Sequence, residues 1–99
     1  MSEFITCNAQ VLLRQIGNGT ILATSGGRVD VRATGVTLPV RYGYAVTIDR
    51  AANDTYTVRR TFRRNSQTAI KGEAKGVHAE ELAEVVYLAG CYSDPMPSL

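Results

Sequence analysis

Apolar and polar residues alternate along the middle of the chain. The stretches 36–40 and 44–49 place apolar side chains at every second position, which is the period of a strand with one buried face. The stretch 28–32 alternates in the same way, and 20–24 is also predicted as a strand. The stretch 68–76 is a weaker strand that glycines interrupt. Turn-forming residues separate these stretches at the intervals typical of a meander, so the pattern predicts an antiparallel sheet.

The stretch 56–65, YTVRRTFRRN, alternates in the same way but places an arginine among apolar residues. On a period of two, one face carries Tyr56, Val58, Arg60 and Phe62. The other face carries Thr57, Arg59, Thr61 and Arg63. Three explanations for Arg60 stay open: its stem packs while its head reaches water, it pairs with a carboxylate such as Asp49, or a bulge shifts the register.

Two stretches have the period of an α-helix. Apolar residues recur at i, i+3, i+4 and i+7 in the C-terminal part of the chain, at Leu82, Val85, Val86 and Ala89. They predict a helix that begins near residue 78 and that Gly90 and the later residues 94–97, DPMP, end. A shorter helix is predicted over residues 8–19, because Asn8 is a good N-cap and Gly17 reaches the positive φ that ends helices.

Together these elements predict an α+β fold. We expect an antiparallel β-sheet of four to six strands packed on a C-terminal α-helix, with a short N-terminal helix. The 99 residues suffice for one domain with one core. Residues 94–99, DPMPSL, contain two prolines and no periodic apolar set, so they are predicted to form a loose tail.

Charge is distributed unevenly although the net charge is only +2. Residues 56–75 carry four arginines and two lysines against one acid, whereas residues 76–99 carry four acids and no lysine or arginine. A basic strand pair therefore precedes an acidic helix. The candidate partner surface consists of Arg59, Arg63, Thr57, Thr61, Arg64 and Lys71. Arginine can bind guanine with two hydrogen bonds and two strands fit the major groove, but threonine and arginine also suit a solvated edge strand.

The amino-acid sequence resembles the sequences of a group of small proteins. The segments LLRQIG, SGGRV, TGVTLPVRYGYAVTID, DTYTVRRTF and KGEAKGVHAEELAEVVYLA, with a terminal Cys-aromatic pair, are similar to proteins of unknown function encoded by bacteriophages of mycobacteria and other actinobacteria. The resemblance spans about Leu12 to Tyr92. It implies a phage origin and the cytoplasm of a host bacterium, but it implies no activity and carries over no functional residue.

The sequence does not favour catalysis or a bound metal. His78 is the only histidine, and no serine or cysteine stands in a nucleophile-elbow motif. Cys7 and Cys91 are far apart in sequence and are expected to be free thiols, although a bridge between them stays open. No apolar run approaches the length of a membrane span, and the N-terminus does not have the pattern of a signal peptide. We therefore expect no enzyme, no cofactor and no membrane partner.

Three functions remain as hypotheses. The first is a small non-catalytic phage accessory protein that binds a host or phage macromolecule, with nucleic acid on the basic strand face as the favoured partner. The second is a protein-interaction module, either an inhibitor of a host factor or a homo-oligomer in which acidic helix meets basic strand. The third is a small-ligand or nucleotide-sequestering anti-defence protein, whose pocket would use Tyr42, Tyr44, Arg59 and Arg60.

Overall fold

A computed structural model of the protein describes residues 4–91, which form an antiparallel sheet and three helices. The helices are α1 (Ala9–Ile16), α2 (Asn18–Ser25) and α3 (Leu82–Cys91), and a 3₁₀ turn at Ala79–Glu81 leads into α3. The strands are β1 (Asp30–Val31), β2 (Gly35–Pro39), β3 (Tyr44–Arg50), β4 (Tyr56–Arg64) and β5 (Gln67–Val77). They lie in chain order and every pair is antiparallel. The α+β prediction is confirmed. The predicted tail at 94–99 lies outside the described residues.

The first helix forms for the reason that the sequence suggests. The Asn8 side chain accepts hydrogen bonds from the backbone N–H groups of Gln10, at 3.0 Å, and Val11, at 3.3 Å, and so satisfies two donors that the helix start leaves open. Gly17 ends α1 at a φ of 91°. Leu12 and Ile16 are completely buried, so α1 is held by its apolar face.

The prediction of a strand at residues 20–24 is wrong, because these residues belong to α2. Threonine and isoleucine favour strands locally, but this preference is weak beside tertiary packing. Ile21 is buried in the core, and Thr24 packs against the last helix. Gly26, in the left-handed conformation, ends α2 and donates its N–H to Leu22 O at 2.9 Å. Gly17 and Gly26 therefore delimit α2.

The C-terminal helix packs across the sheet with the predicted stripe inward. Its stripe residues are all buried, namely Leu82, Val85, Val86 and Ala89. Gly90, predicted to end the helix, instead lies within α3. A Cβ at Gly90 would lie 2.9 Å from Thr24 Cγ2, which is closer than van der Waals contact allows. Glycine at this position therefore permits the close approach of α3 to α2.

The core lies between the three helices and one face of the sheet, here called the helix side. Its fully buried side chains from the strands are Val36, Leu38, Val46, Ile48 and Val58. The opposite face, here called the open face, carries no helix from the described part of the chain. None of the helices within residues 4–91 is long and apolar enough to cross a bilayer.

Candidate nucleic-acid interface

The strand β4 alternates as its sequence predicts. Its pairing with β3 is unbroken from Arg50–Tyr56 to Tyr44–Phe62, whereas the two register shifts occur in the pairing with β5. The bulge considered for Arg60 is therefore not needed to explain its position. The four residues on the open face are Thr57, Arg59, Thr61 and Arg63, and Arg60 lies on the helix side.

Arg60 is part of the structural framework. Its side chain is only 7% exposed, and its guanidinium lies 4.3 Å from the centre of the Tyr44 ring. Nη1 donates to Ala89 O at 2.8 Å. The last carbonyls of a helix lack intrahelical partners and carry partial negative charge, so a buried cation here stabilises the end of α3. Arg60 does not pair with Asp49.

Asp49 pairs instead with Arg32, although the sequence gives no sign of it. Its carboxylate is 3% exposed and accepts hydrogen bonds from Arg32 Nη1 and Thr34 Oγ1, both at 2.7 Å. Arg32 also donates to Val36 O and to Thr37 Oγ1, both at 2.9 Å. This network closes the turn between β1 and β2 and satisfies a carboxylate that would otherwise be buried without partners.

Two of the six predicted surface residues are not available for a partner. Thr57 is only 4% exposed, so it is not presented on the surface of the sheet as the sequence predicted. Arg59 has only 20% of its side chain exposed and is paired through Nε with Glu73 Oε2, directly across from it on β5. Its guanidinium also lies 5.1 Å from the centre of the Phe4 ring. The charge of Arg59 is thus used within the molecule.

The other predicted residues lie at one end of the sheet. Residues 63–70 are exposed without exception and form a two-stranded arm, here called the β4–β5 arm. Asn65 and Ser66 have φ values of 51° and 67°, so the arm ends in a turn with the two positive φ angles of type I′. Arg63 and Arg64 project from opposite faces of this arm, because neighbouring residues of a strand alternate. Lys71 lies half-buried at its base, 6.0 Å from the centre of the Phe62 ring.

A second turn lies beside this arm. Residues 41–44 connect β2 to β3, and Gly43 O accepts a hydrogen bond from Arg63 N at 2.9 Å. A Cβ at Gly43 would lie 2.6 Å from Arg63 O, so only glycine permits this approach. Residues 39–45 and 61–72 contain four cations and no acidic residue. These cations, here called the basic end, are Arg41, Arg63, Arg64 and Lys71.

The basic end borders a groove on the open face. The groove has a volume of about 740 Å³. Its floor is formed by Thr37, Pro39, Ala45, Thr47 and Thr61. The Thr61 hydroxyl donates to Ala45 O at 3.3 Å. The charged residues that line the groove are three arginines, Arg28, Arg41 and Arg63, and one acid, Asp30. An anionic ligand therefore fits this groove better than a cationic one.

The three arginines of the basic end are free to meet a ligand. Among residues 4–91, the ion pairs use Arg32, Arg50, Arg59 and Lys75. Arg41, Arg63 and Arg64 are exposed and form no ion pair within that part of the chain. The sequence already singled out Arg63 and Arg64. It did not single out Arg41 and Arg28. Their position next to predicted turns was the only indication in the sequence, and they belong to no motif.

The pocket suggested for a sequestered nucleotide does not form as predicted. Tyr42 lines the groove, whereas the Tyr44 ring lies on the helix side against the Phe62 ring and the Arg60 guanidinium. Arg59 is paired with Glu73 and does not line the groove. The strand alternation separates the two arginines, so these four residues do not share one ligand.

The residues that could ligate a metal are dispersed. Within residues 4–91, no three histidine, cysteine, aspartate or glutamate side chains lie close enough together to hold a metal ion. Cys7 is a free, half-buried thiol whose pKa is raised, chiefly by its burial. The side chain of Cys91 lies outside the described atoms.

Comparison of the chain with protein-family models, curated proteins and solved structures gave no significant match.

Proposed function

We propose that this chain is a small non-catalytic protein that binds nucleic acid through the basic end of its sheet. One observation carries the proposal: the basic end presents four cations from two neighbouring segments without an acidic residue, and two of them, Arg41 and Arg63, line a groove with a hydroxyl-rich floor. The resemblance to actinobacteriophage proteins makes host or phage nucleic acid, in the cytoplasm of the infected bacterium, the partner that we propose.

The arrangement suits phosphate binding for a physical reason. Arginine offers a planar fork of donors that matches two phosphate oxygens, and it keeps its charge at any physiological pH. Lys71 adds a point charge at the base of the arm. The hydroxyls of Thr37 and Thr47 on the groove floor can donate to phosphate or sugar oxygens. Such contacts position a nucleic acid without reading its sequence, so we expect affinity with little sequence preference.

The interface proposed here differs from the surface that the sequence suggested. It keeps Arg63, Arg64, Thr61 and Lys71, and it adds Arg41 from the neighbouring turn. Thr57 and Arg59 are left out because one is buried and the other is paired with Glu73. The centre of the interface therefore moves from the middle of β4 to the end of the sheet.

Charge reversal on the two faces of the protein tests the proposal. Arg63→Glu should weaken binding of a labelled 20-nucleotide strand or duplex, measured by fluorescence anisotropy at low salt. Arg14→Glu is the matched control, because Arg14 is exposed on α1 on the helix side of the sheet. It changes the net charge by the same amount. Equal loss in both variants would contradict a specific interface, and no binding by the wild type would reject the function.

A second function is favoured by the charge layout. The turn between β3 and β4 and the start of the last helix lie at the end of the sheet opposite the basic end. This opposite end carries exposed acids, namely Asp54, Glu80 and Glu81. Two copies could therefore associate head to tail, or a host protein with an acidic surface could occupy the basic end.

Sedimentation velocity separates this alternative from nucleic-acid binding. Head-to-tail association predicts an average mass that rises with protein concentration at low salt and falls on addition of salt. The double variant Glu80→Lys/Glu81→Lys should abolish such association without reducing nucleic-acid affinity. A monomeric wild type at high concentration and low salt would reject the homo-oligomer.

A further inference from the structure

The turn between β2 and β3 holds a tyrosine in an unfavourable backbone conformation. Tyr44 N donates to Arg41 O at 2.9 Å and closes a four-residue turn. Its two central residues, Tyr42 and Gly43, have φ values of 55° and 87°. Turns of this kind prefer Asn-Gly, because a positive φ brings the Cβ of other residues too close to the following carbonyl.

Packing of the Tyr42 side chain does not offset this cost. It is 89% exposed, the highest value among the large apolar residues that the structure describes as exposed. A single exposed aromatic residue is common and carries no argument by itself. Here, however, the ring is combined with backbone strain and lines the groove at the basic end. Residues with backbone strain that no contact within the fold offsets are concentrated at binding sites.

The surroundings of Tyr42 define what it would bind. Arg41 precedes it in the chain, and Arg63 lines the same groove. The groove floor beside them includes Pro39 and Ala45, whose short apolar side chains leave room for a flat ring. The volume of about 740 Å³ falls within the roughly 300–1,000 Å³ of pockets that hold small ligands. The site thus combines an aromatic platform, flanking cations and space for a planar group.

We propose that this groove takes the unpaired bases of single-stranded nucleic acid. One base stacks on the Tyr42 ring, while the phosphates on either side of it contact Arg41 and Arg63. Aromatic platforms beside cationic tracks are the means by which proteins hold single strands, since every base offers a π face. A duplex keeps its bases stacked on one another and offers none to the tyrosine. This inference rests on the proposed function and specifies its ligand.

Substitution of Tyr42 separates stacking from folding unusually well. Tyr42→Asn creates the Asn-Gly pair that the turn prefers, so this variant should melt at or above the wild-type temperature. Its affinity for single strands should nevertheless fall by about tenfold or more, since the stacked base is lost. Tyr42→Phe keeps the ring and should bind within about twofold of the wild type, as expected when stacking rather than the hydroxyl acts. Tyr87→Gln is the matched control, because Tyr87 is exposed on α3, away from the groove.

The binding experiment uses three labelled probes: a 12-nucleotide oligothymidine, a 12-nucleotide oligouridine and a 12-base-pair duplex. We expect both single strands to bind more tightly than the duplex. Equal affinity for strand and duplex, or a Tyr42→Asn variant that binds like the wild type, would overturn the stacking inference. If Arg63→Glu still weakens binding in that case, the proposed function stands. If the wild type binds no probe, both fail.

Discussion

Arg60 Nη1 donates a hydrogen bond to Ala89 O at 2.8 Å and so joins the middle of β4 to the end of α3, 29 positions later in the chain. The cation is buried, and it meets carbonyls that no other part of the helix can satisfy. One arginine of the basic stretch 56–65 therefore belongs to the core and not to the surface. This assignment leads to the first prediction.

Arg60→Met should lower the free energy of unfolding by about 2 kcal/mol, because it leaves the carbonyl of Ala89 buried without its donor. Methionine retains much of the aliphatic length, so the loss reports the hydrogen bonds and the charge rather than a large cavity. Urea denaturation followed by circular dichroism measures it. Arg63→Met is the control and should change stability by less than about 0.5 kcal/mol, as surface substitutions do. Similar losses in the two variants would contradict the different roles assigned to them.

Glu73 makes stability depend on pH. Its hydrogen bond with Arg59 is the chief cause that lowers the pKa of its carboxyl below the usual value of 4.5. A carboxyl with a lowered pKa in the folded state contributes stability above its unfolded pKa and loses it as pH falls through the folded value. The wild type should therefore lose stability as pH falls below about 4.5.

Glu73→Gln isolates this contribution from that of the other carboxyls. The variant lacks the titrating group, so the stability difference between wild type and variant should be largest near neutral pH and should shrink below about pH 4.5. Urea midpoints at pH 7, 5, 4 and 3 follow it. If the difference stays constant over this range, the pKa of Glu73 is the same in the folded and the unfolded protein, and the prediction fails.

Gly90 and Thr24 should behave as a coupled pair. Alanine normally stabilises a helix interior relative to glycine by roughly 0.5–1 kcal/mol. At residue 90 the added Cβ would lie 2.9 Å from Thr24 Cγ2, on a stiff β-branched side chain. Gly90→Ala should therefore destabilise the protein by about 1–2 kcal/mol, the range of mild overpacking. Thermal melts of the single variants and the double variant measure the coupling.

Thr24→Ala should rescue Gly90→Ala. It removes the methyl group that the new Cβ meets, and it also removes a buried hydroxyl for which the described residues provide no hydrogen-bond partner. In the double variant, alanine at residue 90 should restore its ordinary helix preference. Additive losses in the two single variants would mean that the helices do not approach each other at these residues.

The sequence predicts those parts of the fold that depend on periodicity. The stripe of α3 and the inward residues of β2 and β3 follow from spacing alone, because burial of one face imposes the period. The prediction of a strand at residues 20–24 fails because these residues prefer strands locally, whereas contacts with α3 place them in a helix. The prediction that Gly90 ends the helix fails for a related reason, since glycine in a sequence indicates a helix end more often than a close contact between helices.

The candidate site is less predictable, because charge in a sequence does not reveal partners. Arg59 and Arg63 look alike in the alternation of β4, yet only Arg59 faces a glutamate, which one bulge in β5, at Lys71, brings into register. Arg41 became part of the basic end only when the meander placed its turn beside the β4–β5 arm. The sequence named Tyr42 only as one of four residues of a possible ligand pocket, and its positive φ and its exposure distinguish it from the other three.

The salt dependence of binding should count the phosphates that the basic end contacts. Each contact made to a single strand contributes about 0.7 to the slope of log affinity against log salt concentration, because binding releases condensed counterions. The double variant Arg41→Ala/Arg63→Ala should therefore have a slope smaller by about 1.4 than the wild type. Anisotropy titrations at four or more salt concentrations with the 12-nucleotide oligothymidine give both slopes.

Arg59→Ala serves as the comparison for this measurement. Arg59 lies on the same face of β4 but is paired with Glu73, so its removal should lower stability while leaving the slope within error. Removal of the two exposed arginines should have the reverse effect, because neither forms an ion pair in the described part of the chain. If Arg59→Ala reduces the slope as much as the double variant does, the ligand reaches the middle of β4. The interface must then extend along the open face to the position that the sequence first suggested.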